Sequence, residues 1–291
     1  MPNSIALFKQ YTTLLDEVYK SASLTAVLDG ASELVSQGAN ANELIIQKMS
    51  MDGLADYSRN GGYVAGSVTM TNETVKCNFD RGRMFQIDNM DNAETAGMAY
   101  GRLSAEFIRT KVVPELDAFR FATYAGISGI STVAGAALAT GEAVLAAISA
   151  AYDKMTDDEV PESDRHLFIT PTLRGMVRDL ENLSKSKEIM DKFASVVTVP
   201  QSRFYTAIEQ KSGGSGEEAG GYAKATGAAN INFMIIHKPA VIQFEKHVAP
   251  KVITPEMNQD ADAWKFGYRN VGIAEVYENK VAGIYLHKAA N

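Results

Sequence analysis

The sequence predicts a mixed α+β chain, and three stretches carry that expectation. Between Gly61 and Asp88, Val75, Cys77 and Phe79 alternate with polar residues, the period of a half-buried strand. Between Asn92 and Tyr124, Met98, Ala105, Ile108, Val112, Leu116 and Phe119 fall on one face of a helix. Near the C-terminus, Trp264, Phe266 and Tyr268 alternate with Lys265, Gly267 and Arg269, again as a strand.

The elements follow in order. Phe8, Tyr11, Leu15, Val18 and Ala22 form one apolar stripe on a helix of roughly 22 residues, with Ser4 as N-cap and Asp29-Gly30 as its breaker. Such a stripe needs cover, either from the chain's own core or from a neighbouring subunit. In the alternating stretch, Asp80-Arg81-Gly82-Arg83 reads as a turn and Met84 to Asp88 as the second strand of a long two-stranded ribbon. A lone hairpin is marginal in water, so the ribbon should lean on something. Cys77 reads as a small apolar strand residue. Asp91 and Glu94 mimic a capping box for the long helix, Pro114 predicts a kink, and the rod would run roughly 50 Å.

Gly126 to Tyr152 carries a single charge, Glu142, and is long enough to cross a bilayer. Its Gly, Ala, Ser and Thr supply little transfer free energy. It reads as a flexible loop followed by an Ala-rich helix from about Glu142 to Lys154, with no membrane segment. The first residues lack a secretory pattern. Next come the acidic loop TDDEVPESD, a strand at 166–170, a helix from Thr172 to Leu183, a β-rich stretch from Phe193 to Thr206, a flexible Gly-rich surface loop at 212–221 and a strand, INFMIIH, at 231–237. The C-terminal strand runs to about Glu278, turns at Asn279-Lys280 and returns as VAGIYLH. No repeat of 20–50 residues is present.

The chemistry expected of this chain is sparse. Its 291 residues suit two domains, or one with appendages, and hold enough apolar material for a core. A net charge of −7 disfavours binding duplex DNA through charge. One cysteine excludes an intrachain disulfide and a multi-cysteine metal site. His166, His237, His247 and His287 share no ligand spacing and read as strand-edge and surface residues. Gly214 to Ala219 formally matches G-x-G-x-x-A, but Gly220-Gly221 would break the helix that motif needs, and no acid stands about 20 residues on. Gly126 to Ile130 fails the nucleophile elbow at its last position, and Asp157 to Asp164 lacks a calcium-loop pattern. No pair of carboxylates is singled out for acid–base work. No catalytic, cofactor-binding or metal-binding residue is expected, and the chain does not read as an enzyme.

The order of parts is more telling. The segments DRGRMFQID (80–88), EFIRTKVVPELDAFRF (106–121), VPQSRFYTA (199–207), INFMIIHKPAV (231–241) and ITPEMNQDADAWKFGYR (253–269) are similar in wording and order to tailed-bacteriophage major capsid proteins of the Hong Kong 97 fold. The resemblance covers residues 5 to 288. It implies an N-arm at 1–47, an E-loop ribbon at 48–90, a P domain with its spine helix at 91–140, an A domain at 141–240, P-domain return strands at 241–279 and a last A-domain strand at 280–291. It implies self-assembly through hexamers and pentamers into an icosahedral shell around double-stranded DNA, held non-specifically. The expected location is the virion, after the host cytoplasm. A portal, a separate scaffolding protein and a decoration protein are further implied partners. Some relatives carry a long scaffolding segment before the arm, whereas here the arm starts at once. Lys76 lies in the expected E-loop, but no motif carries cross-linking chemistry over. An encapsulin-type nanocompartment shares the fold and is the alternative; an α/β enzyme resting on the Gly-rich loop is the more distant one. A subunit of this kind covers area, and its apolar edges are buried by copies of itself.

Overall fold

The structure is a computed structural model and describes residues 23–30, 36–37, 43–94, 103, 105–133, 135, 138–180 and 183–290. The helix expected before Ala22, and Met98 of the long stripe, lie outside the described residues.

Strands β1 (Ser36–Gln37), β2 (Glu43–Met51) and β3 (Val68–Lys76) form an antiparallel sheet, with Met51 opposite Val68 and Glu43 opposite Lys76. The ribbon is therefore built from 43–51 and 68–76. Asp80-Arg81-Gly82-Arg83 is not its turn. These residues lie inside β4 (Phe79–Asp88), which pairs along its whole length with β12 (Ala263–Val276). Gly82 serves close approach here: a Cβ on it would stand 2.9 Å from the Tyr268 carbonyl oxygen. Arg269, opposite Gly82, reaches across to Asp80. On its other edge β12 pairs with β11 (Val241–Ile253). Between β3 and β4 lie only Cys77 and Asn78. The Asn78 side chain donates to the Ala274 carbonyl at 2.6 Å and accepts from the Ala274 amide at 3.1 Å.

Helix α1 (Asn89–Glu94) follows β4 directly. The expected rod is described again through a π turn (Ile108–Val112) that runs into α2 (Val113–Gly126). Pro114 sits in the first turn of α2, where the wide π turn accommodates its missing N–H. The extra residue in that turn shifts the buried line from Ile108 to Val113 instead of Val112, and then to Leu116. These side chains pack on Phe79, Phe266 and Tyr268. Trp264 is half-buried, so Phe266 and Tyr268 are the core residues of that strand.

The second layer is a sheet in the order β5 (Ser131–Val133), β13 (Ile284–Lys288), β10 (Ile231–His237), β6 (Arg165–Ile169), β7 (Ser195–Thr198). One face presents Phe168, Met234, Ile236 and Leu286 to Phe121 and Tyr124 of α2. The other presents Leu167, Ile169, Phe233 and Ile235 to α3 (Gly141–Asp157), α4 (Pro171–Arg178) and α5 (Leu183–Met190). Each such side chain contributes roughly 1.5–3 kcal/mol on full burial. The helix expected at 172–183 ends at Arg178, and a separate helix, Leu183–Met190, follows it. Among the described residues no helix is long and apolar enough to cross a membrane.

The acidic run 156–164, whose first two residues end α3, folds around Arg165. That guanidinium is fully buried, takes the Tyr152, Val160 and Pro161 carbonyls, and lies 4.4 Å from the Tyr152 ring centre.

Candidate assembly surfaces

The projecting hairpin comes first. Every residue from 49 to 72 is exposed except the half-buried Gly62. Leu54 is wholly in solvent and Tyr63 is 90% exposed; Met49, Met51, Tyr57, Val64, Val68 and Met70 accompany them. Among the described residues the tip is held by its own bonds: Asp52 with Ser67, Ser58 with Gly62, and the Tyr57 and Tyr63 rings 4.9 Å apart. The base is docked through Val75 on Ile242 and Ile273. Among the described residues nothing covers this run of large apolar side chains, an exposure uncommon on a subunit that stays alone.

The second feature fixes where the N-terminal segment meets the body. Asp117 of α2 is completely buried and accepts hydrogen bonds from Ser23 Oγ (3.0 Å), Leu24 N (3.1 Å), Thr25 N (3.2 Å), Thr25 Oγ1 (2.7 Å) and Arg203 Nη1 (3.2 Å). One helical turn on, buried Arg120 donates to Thr25 Oγ1 and faces Asp29 and Glu245, each at 3.6 Å. Gln243 of β11 donates to the Thr25 carbonyl and to Asp29, and accepts from Tyr124 Oη. Burial drives the Tyr124 phenol far above its usual range, so it stays a donor. Sequence reasoning missed this cluster. Its signal was two charges, Asp117 and Arg120, inside the apolar stretch from Leu116 to Tyr124.

The third is the Gly-rich loop between β8 (Ile208–Gln210) and β9 (Tyr222–Lys224). It is pinned, contrary to the flexible reading. Arg81 donates to the Lys211 and Gly221 carbonyls, and Arg83 to those of Glu218 and Ala219. Gly213, Gly216, Gly220 and Gly221 all have positive φ, so the conformation itself needs glycine. No nucleotide-cradling helix follows, because β9 does.

Three histidines are not at the surface. His166, His237 and His287 are buried on the three inner strands of the five-stranded sheet, and sequence periodicity could not distinguish those inner strands from wet edges. The chain does not bring them together with acids: among the described residues no group of three or more His, Cys, Asp or Glu could hold a metal. His166 Nδ1 lies 2.7 Å from Ser195 Oγ, and the His287 ring stacks on Phe233. Burial lowers the pKa of all three, with Lys238 adding to it at His166 and Arg165 at His237. The unfolded chain therefore takes up protons near the ordinary value of about 6.5 before the folded chain does. Stability should be full above that pH and decline as pH falls below it. Urea midpoints at pH 7.5 and 5.5 should show the loss, and His166→Gln with His237→Gln should shrink it.

No family model and no curated protein matches the chain. Solved structures do. A chain from Gordonia phage Cozz superposes with a TM-score of 0.62 at 11% identity, over 92% of this chain and 87% of that one. A chain of the capsid of Myoviridae phage XM1 gives 0.56 at 12% identity, over 92% of both. The virus-like particle from Pyrococcus furiosus gives 0.58 at 10%, over 96% and 98%. The α+β fold is that of viral capsid shell subunits.

Proposed function

We propose that the chain is the major capsid protein of a tailed bacteriophage, a subunit whose copies form a closed shell around packaged double-stranded DNA. The observation that carries this reading is the exposed apolar hairpin on a capsid fold: among the described residues, nothing covers 49–72. The capsid structures that share the fold support self-association of this chain. Within the expected domain plan, the 48–90 span divides at Asn78 into a projecting part and β4, which is part of the body. Among the described residues, α2 with 241–279 belongs to the body, and β5 joins the strands of 141–240 and 280–290 in the five-stranded layer. Hexamers, pentamers, a portal, a separate scaffolding protein and a decoration protein remain part of the proposal. So does the location, in the virion after the host cytoplasm. No enzymatic role is proposed.

Negative-stain microscopy of the purified chain tests the reading. Closed particles, sheets or tubes are expected; a monomer at high concentration would refute it. A cargo-enclosing nanocompartment is the second reading, supported by the likeness to the Pyrococcus furiosus particle. Particles filled with a cargo protein would favour it, and portal-bearing particles with DNA the first.

A further inference from the structure

A cleft of about 970 Å³ opens between the paired strands β4 and β12, the π turn with the start of α2, and the Gly-rich loop. Asn270 of β12 lines it, opposite Arg81 in the register. Asn270 is 1% exposed, yet neither its Oδ1 nor its Nδ2 has a hydrogen-bond partner among the described residues. A buried amide left without partners weakens the fold, and a leucine of similar size would not. Buried polar side chains are nearly always hydrogen-bonded, so this one calls for an explanation.

The surroundings specify the visitor. Five cations line the cleft, Arg81, Arg83, Lys111, Arg203 and Lys211, against two carboxylates, Glu106 and Glu115. This is a cationic island on a chain of net charge −7. Glu115 is taken by Arg81, and Arg203 by Asp117, whereas Lys111 and Lys211 make no ion pair among the described residues. Phe85, Phe107 and Tyr268 supply an apolar wall, packed edge-on with centres 4.7 and 6.4 Å apart. An unmet donor beside an unmet acceptor matches one peptide group, the wall suits apolar side chains, and the lysines suit carboxylates.

We propose that this cleft binds an extended acidic peptide segment of a partner protein. The chain's own acidic run at 157–164 does not suit the role, because the Val160 and Pro161 carbonyls are committed to Arg165. The inference does not rest on the shell reading, since a single folded chain contains the whole site.

The full-length chain should be titrated, by fluorescence anisotropy, with a capped octapeptide that repeats Asp-Leu-Glu-Phe twice. Its counterpart with lysine in place of all four acids is the control, and a capped peptide of residues 52–67 represents a second copy. Saturable binding of the acidic probe alone is expected. Lys111→Glu with Lys211→Glu should weaken it at least about tenfold. Asn270→Leu should weaken it similarly while raising the melting temperature of the free chain by about 2–4 °C. No saturable binding of the acidic probe, or equal binding of the basic one, would overturn the proposal. So would affinities that ignore these variants, or a lower melting temperature for Asn270→Leu, which would mark the amide as structural. Tighter binding of the 52–67 peptide would make the cleft a contact between copies instead.

Discussion

Replacing residues 52–67 by an Asn-Gly turn should leave a folded, soluble subunit that no longer forms shells. Met51 and Val68 face each other in the register, so a two-residue turn that suits the twist of a hairpin can join them. Among the described residues, the hydrogen bonds and ring contact of the excised segment are with itself. Their loss should move the melting temperature by no more than a few degrees. Assembly is another matter. Leu54, Tyr57, Tyr63 and Val64 go with the tip, and each is worth roughly 1.5–3 kcal/mol if a neighbour buries it fully. In a closed shell the same contact repeats at every subunit, so the deficit is multiplied. Sedimentation velocity should show small species, and microscopy no particles. Normal shells from the shortened chain would remove the hairpin from the assembly mechanism. Leu54→Asp with Tyr63→Asp should act in the same direction without changing chain length.

The second large effect is expected at Asp117. Alanine there removes the acceptor of two backbone amides, two hydroxyls and Arg203 at once. Deleting one partner of a buried charge network costs about 3–5 kcal/mol; here Arg203 keeps some access to water, and the fully buried Thr25 amide and hydroxyl are the donors left without their acceptor. Urea unfolding should report a loss of that size. Asp117→Asn keeps the shape and part of the bonding, so it should lose less. Limited proteolysis should separate local from global damage. If the cluster fastens the Ser23–Gly30 segment, the alanine variant should be cut there first, before the body is digested.

The parts legible in the sequence were those whose signal is local. INFMIIH coincides with β10 because both faces of that strand are buried and its apolar run is continuous. Thr140, whose side chain accepts from the Ala143 amide, starts α3 close to where the Ala-rich pattern does. The parts that were not legible depend on distant partners. Asp80 to Arg83 carries turn-like residues, yet β12 lies alongside and makes them strand, with Gly82 conceding the space. The true partner of the 68–76 strand, 43–51, is nine residues of weak alternation that only pairing reveals. A π turn adds one residue and rotates the buried line of the following helix by a position, which no fixed period anticipates. The buried histidines and Asn270 lie on strands covered on both sides, where polarity alone suggests the opposite. For the candidate surfaces, the expectation of an uncovered apolar ribbon was sound in kind and displaced in residues.

The two-residue link at Cys77 and Asn78 has a mechanical consequence. The hairpin and the sheet containing β4 are each stiffened by cross-strand bonding, so any torque applied at the tip is concentrated where one becomes the other. Asn78, gripping Ala274 from both ends of its amide, anchors that junction to the sheet, so load from the tip passes into β12 there.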